Sequence, residues 1–207
     1  MRGIKVNKLF KYVSIILLII GIMFLVYPSV KNILVSYMSK SKVQQMKKEH
    51  NEVQGTYDFE NVTPITMKDV IEAIKEDLPA IGEIKIPSVE LHLPIFKGVS
   101  NSAMAIGAGT LKENQQMGLG NYVLASHHMK NRKLLFTPLD RVTIGAKIYL
   151  SDGETTYQYN VVEKRVIKAN ETEVINNQEG KTLVTLITCH DNGEKRLLVV
   201  GELERTL

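Results

Sequence analysis

Between Tyr12 and Val30 the chain reads YVSIILLIIGIMFLVYPSV, nineteen residues without a charged side chain. At ~1.5 Å per helical residue, this run nearly matches the ~30 Å hydrocarbon core of a bilayer. No other feature restricts the fold as strongly, because the rest of the chain must build its structure apart from this segment. A core helix so uniformly apolar is unusual in a chain of 207 residues. A cleaved signal needs small residues ahead of the cut, and Tyr27, Pro28 and Val30 do not supply them. The run is therefore expected to be an uncleaved transmembrane anchor over 12–30, with a tail over 1–11. No second apolar run of this length follows, so one crossing is expected.

The flanking charges do not choose an orientation. Arg2, Lys5, Lys8 and Lys11 precede the run, and Lys31, Lys40, Lys42, Lys47 and Lys48 follow it. Both orientations stand at this point. The formal net charge of +4 resides partly in that tail, so it does not indicate a nucleic-acid partner. Five histidines and one cysteine cannot form a zinc-finger pattern.

Residues 31–78 read as a stalk. Its first part, through residue 65, is rich in charge and amide side chains. At its end, TMKDVIEAIKEDLP carries Thr66 and Asp69 at capping-box spacing. Met67, Val70, Ile71, Ile74 and Leu78 are spaced as one apolar face, which predicts an amphipathic helix over 66–78 that packs on the following domain.

The period then changes from helical to strand-like. IGEIKIPSVELHLPIFKG alternates apolar and polar residues, with Pro87 and Pro94 marking bends or edge positions. Further strands are predicted at 121–126, 147–150, 155–167, 182–189 and 196–203, separated by Gly and Asn/Asp clusters. Helical turns are left over around 131–139 and 171–178. This is an all-β pattern over residues 79–207, and so many short strands suggest a closed barrel or a sandwich.

The chemistry centres on TLITCHDNGEKRLLVV, which holds the lone cysteine, Cys189. Asn192-Gly193 is the strongest hairpin signal in the chain, since a type I′ turn needs positive φ at both positions. A two-residue loop there sets Asp191 against Glu194, His190 against Lys195, and Cys189 against Arg196. Opposed residues share a face, so a thiol beside a guanidinium is expected. A fixed cation favours the thiolate or stabilises charge on a reacting carbonyl. Two readings stand here, a half-buried space-filling cysteine and a nucleophile.

A nucleophile also requires a base. His50 lies in the stalk, and His92 sits in an alternating strand. His190 neighbours Cys189, but adjacent strand residues point to opposite faces. His127 and His128 end the apolar strand NYVLASHH, where a rigid element can carry a catalytic group. If the domain lies outside the membrane, an odd cysteine there implies an intermolecular bond or a reactive thiol.

At these residues the chain resembles the sortases, cysteine transpeptidases of Gram-positive surfaces. TLITC is similar to the family's nucleophile strand, KRLLVV to its last strand with the essential arginine, and LASHHM to the segment with the catalytic histidine. The resemblance covers roughly 79–207 and fits class A, the housekeeping type. It implies an eight-stranded β-barrel with short helices, and a membrane protein whose amino terminus is cytoplasmic and whose catalytic domain is extracellular. It also assigns roles to particular residues. Cys189 is the acyl-thioester nucleophile, His127 the proton donor and acceptor, and Arg196 the stabiliser of the substrate carbonyl or oxyanion. Thr188 is a substrate or oxyanion-hole contact.

The implied substrates are Leu-Pro-X-Thr-Gly surface proteins, cut at Thr–Gly, and an amine of a lipid-linked cell-wall precursor. The alternative is a membrane-tethered cysteine peptidase that uses water as acceptor. No cofactor is expected. Some class A enzymes use calcium, but LKENQQMGLGN offers only Glu113. Glu171 and Glu173 fall short of the six to eight oxygens calcium takes, so no metal is expected.

Overall fold

The computed structural model describes residues 8–45, 55–57, 65–190 and 195–207. His50 and the Asn192-Gly193 turn therefore lie outside the described residues. The first element, α1 (Lys8–Gln45), is a single helix of 38 residues, about 57 Å long at ~1.5 Å per residue. Pro28 sits inside it. Its apolar stretch from Phe10 onward is exposed on all sides and is long enough to cross a bilayer. Beyond Val30 the same helix lies against the barrel. Val35, Ser39 and Lys42 are buried there, and Lys42 Nζ donates to Asp77 Oδ1 at 2.5 Å. Part of the polar segment that reads as a stalk is thus a docked continuation of the apolar helix.

The helix at the end of that segment, α2 (Met67–Lys75), begins as its sequence dictates. The Asp69 N–H donates to Thr66 Oγ1, and the Thr66 N–H donates back to Asp69 Oδ2, which closes the capping box. Its buried face differs from the expected one. Asp69, Val70 and Ala73 are buried, whereas Ile71 and Ile74 are 42% and 43% exposed. The small Ala73 allows close approach to the next helix, α3 (Asn101–Ile106). Glu76 accepts a hydrogen bond from Ser102 Oγ across that contact.

Eight strands close a barrel in the order β1-β2-β3-β4-β7-β8-β6-β5. They are β1 (Gly82–Ile86), β2 (Leu91–Phe96), β3 (Ala108–Thr110), β4 (Asn121–Ala125), β5 (Lys147–Ser151), β6 (Thr156–Lys168), β7 (Leu183–His190) and β8 (Lys195–Thr206). Two pairings, β2 with β3 and β4 with β7, are parallel. Ile84, Leu124, Ile148, Tyr159, Leu186 and Val199 fill the interior.

A second cluster explains why the functional strands read as unbroken apolar runs. Val123, Leu183, Ile187, Leu198 and Val200 are buried on the outer face of β4, β7 and β8. Val174 and Ile175, from the 3₁₀ turn Thr172–Ile175, cover them. Strands buried on both faces need apolar residues at every position rather than at every other one.

Candidate active site

Three adjacent strands bring the sequence-predicted residues to one end of the barrel. In the parallel β4–β7 pair Ala125 lies opposite Ile187, and the Ser126 N–H donates to the Ile187 carbonyl at 3.3 Å. His127, two residues past Ala125, therefore stands level with the carboxy-terminal end of β7. In the antiparallel β7–β8 pair Cys189 is the register partner of Arg196, and His190 of Lys195. This is the pairing that a two-residue turn at 192–193 requires.

His127 is held rigidly. Its carbonyl accepts from the Phe136 N–H at 3.1 Å, and Ser126 Oγ donates to the Gly107 carbonyl at 2.7 Å. Past it the chain folds back through a bridge between His128 and Leu135, and the Met129 N–H donates to Thr137 Oγ1 at 2.7 Å. His128 Nε2 lies 2.8 Å from Asp140 Oδ2 on the same fold-back. The two histidines thus differ in surroundings. The first is buried behind the strand end, and the second is tied to a surface carboxylate.

Burial sets the charge state of His127, which is 7% exposed. Desolvation pushes its pKa down to about 4, against a smaller upward pull from the Asp69 carboxylate of α2. The imidazole is therefore neutral near pH 7. Burial raises the Asp69 carboxyl in turn, but hydrogen bonds from Thr66 and from its own backbone N–H, with the field of His127, leave it below the usual carboxylate range. The capping residue of α2 is thus an electrostatic neighbour of His127, a link no spacing in the sequence announces.

This burial has a measurable consequence. An unfolded chain protonates His127 near 6.5, whereas the folded one does so only near 4. Between those values only the unfolded state takes up the proton, so acidification from about pH 6.5 to 4 should remove about 3 kcal/mol of stability. Below the folded pKa the loss levels off. Denaturant unfolding of the wild type and His127→Gln across this range should show the extra slope only in the wild type. Parallel curves would contradict a buried neutral imidazole.

On β8, Arg196 Nη1 donates to the Lys195 carbonyl at 3.1 Å, and the side chain is part-buried. Thr188 is fully buried, and its Oγ1 has no hydrogen-bond partner among the described residues. By strand alternation it shares a face with Val184 and Leu186, which belong to the barrel interior. Its side chain therefore faces the core, and the part of Thr188 nearest the site is its main chain.

Of the other histidines, His92 Nε2 lies 2.8 Å from Glu83 Oε2 on the barrel surface. Among the described residues no three His, Cys, Asp or Glu side chains converge as a metal cage would require. Glu171 accepts from Arg165 Nη1 at 3.0 Å and from the Lys168 N–H at 2.9 Å, so it braces its own loop.

Residues 84–204 match the sortase domain family. The chain belongs to the sortase family. It is 42% identical to sortase A of Listeria monocytogenes over 205 residues, 95% of this chain and 92% of that protein. Sortase A of Streptococcus agalactiae is 37% identical over 219 residues, 98% of this chain and 89% of the relative. The solved structure of Listeria monocytogenes sortase A aligns with a TM-score of 0.60 at 43% identity, over 61% of this chain and 88% of that one. This sortase is accordingly a cysteine transpeptidase with the closed eight-stranded barrel of its family. The exposed apolar length of α1 is compatible with the membrane anchoring of a class A sortase.

Proposed function

We propose that this sortase cuts the Thr–Gly bond of Leu-Pro-X-Thr-Gly sorting signals and passes the acyl group to an amine of a lipid-linked cell-wall precursor. The observation that carries this reading is the adjacency of β4, β7 and β8, which bring His127, Cys189 and Arg196 to one end of the barrel.

The burial that leaves His127 neutral supports a first role for it as a base. As the Cys189 sulfur bonds to the threonine carbonyl carbon, the imidazole takes the thiol proton. The tetrahedral oxyanion is stabilised by the Arg196 guanidinium and by main-chain N–H groups at the end of β7, where Thr188 makes its contact. Collapse breaks the C–N bond, and the imidazolium gives its proton to the departing glycine amine, leaving a thioester on Cys189. The incoming amine then loses a proton to His127 as it attacks. The thiol leaves and is reprotonated, and an amide has replaced the original one.

The proposed organisation is a cytoplasmic tail over 1–11, a span over 12–30, a connecting segment over 31–78 and an extracellular catalytic domain over 79–207. The large domain can translocate whatever the flanking charges are.

The test is mass spectrometry and product analysis of the enzyme with a fluorogenic Leu-Pro-X-Thr-Gly peptide, with and without an added amine. Expected are an acyl adduct on Cys189 and an amide product whenever the amine is present. Hydrolysed peptide as the sole product in both arms would make the enzyme a peptidase with water as acceptor, and no adduct with no cleavage would refute the substrate.

A further inference from the structure

Where α1 meets the barrel, two clefts open side by side. One, of about 310 Å³, lies between α1 and β2. The other, of about 360 Å³, opens from it toward the apolar half of α1. Ser36, Lys40, Glu90, Lys133 and Leu134 line both, so the two form one groove.

The charge of this groove is one-sided. Lys40, Lys133 and Arg141 face it, against the single carboxylate of Glu90. Arg141 is pre-oriented, with Nη1 donating to the Arg132 carbonyl and Nη2 to the Val89 carbonyl, each at 3.3 Å. Two of its five donors are thereby engaged. Asn32 and Asn131 add amide groups at the mouth. The groove wall also carries Ser39, which is 5% exposed and whose hydroxyl has no hydrogen-bond partner among the described residues.

Depth along α1 narrows the ligand class. At ~1.5 Å per residue, Asn32 lies about 3 Å beyond Val30, and Lys40 about 15 Å beyond it. Lipid headgroups occupy roughly the first 5–8 Å outside the hydrocarbon. The mouth of the groove is therefore level with the phosphates of the adjoining leaflet.

We infer that this groove binds the phosphate of an anionic phospholipid headgroup. Arg141, with Asn32 and Asn131, holds the phosphate at the mouth, and the long side chains of Lys40 and Lys133 reach down to it from the groove wall. Occupancy seats the barrel on the leaflet. The inference rests on α1 crossing the membrane.

Native mass spectrometry of the full chain in neutral detergent tests it, with phosphatidylglycerol and phosphatidylcholine as probes. The wild type should retain phosphatidylglycerol at least about tenfold better than phosphatidylcholine. Lys40→Glu/Lys133→Glu should lose that preference while still cleaving a soluble peptide. Arg141→Gln should weaken retention about tenfold, a milder change that keeps the test alive if the double variant misfolds. Lys68→Glu/Lys181→Glu makes the same charge change on exposed residues elsewhere and should retain the lipid.

Equal retention of both lipids, or equal loss in the control variant, would overturn the site. Displacement of the lipid by millimolar inorganic phosphate would assign the groove to a free anion and overturn the lipid reading. A full chain that stays in solution without detergent would overturn the membrane span along with the site.

Discussion

Replacing Cys189 by alanine should leave an enzyme that binds a Leu-Pro-X-Thr-Gly peptide but neither cleaves it nor transfers it to an amine. The expected fall is to the uncatalysed background, on the order of 10⁴-fold or more, because no other group can form the acyl intermediate. The fold should survive, since the barrel closes through main-chain pairing of β7 with β4 and β8 rather than through a bond at that residue. The measurement is twofold. Peptide turnover is followed with and without amine, and circular dichroism of wild type and variant is compared. Residual transfer above background in a folded variant would show that the reaction runs without a thioester on Cys189. Cys189→Ser makes a useful companion, because it keeps the shape of the nucleophile while removing the acidity that a neutral imidazole can exploit.

The second large effect is at His127. Removing its imidazole in His127→Ala should lower kcat by a factor of about 10²–10⁴, the usual span for a general acid–base group, with KM little changed. The pH profile should change with it. In the wild type, turnover on the acid side should fall only as pH approaches the depressed His127 pKa of about 4, and the variant should lose that limb. Because Asp69 pulls this pKa upward, Asp69→Asn should move the acid limb lower still while leaving the nucleophile intact. A His127→Ala enzyme with unchanged kcat would move the proton-transfer role elsewhere. His128 would then be the first residue to test, since it shares the same fold-back.

Much of this was legible in the sequence, and the misses share a cause. The strands β4 to β8 declare themselves because each is at least five residues long and carries its own apolar pattern, and the double burial of β7 and β8 shows as the runs TLIT and LLVV. The Cys189–Arg196 pairing follows from a turn only two residues long, so local chemistry sufficed. By contrast, Ala108-Gly109-Thr110 is too short to show a period, and α3 is a six-residue helix with only Ser100 as its cap. In α2 the apolar pattern pointed to Ile71 and Ile74, but close packing on α3 selected the smaller Ala73. Where α1 docks, Lys42 meets Asp77, and Asp69 lies in the electrostatic surroundings of His127. Both partners lie far away in the chain, and neither pair follows a helical or strand period. The resemblance gives Thr188 a substrate or oxyanion contact, but strand alternation sends its side chain inward.

The continuity of α1 changes how such an enzyme would meet its substrates. A barrel on a slack tether sweeps a dome, and its catalytic cleft visits every height and tilt within reach. If α1 spans the bilayer as proposed, a barrel clamped to the upper part of the same helix behaves as a head on a post. It can drift laterally and spin about the post, but its altitude is nearly constant. Encounters with partners that are themselves confined to the membrane then become a search in a plane rather than in a volume. Within that plane a modest affinity for each partner suffices, because geometry supplies the effective concentration.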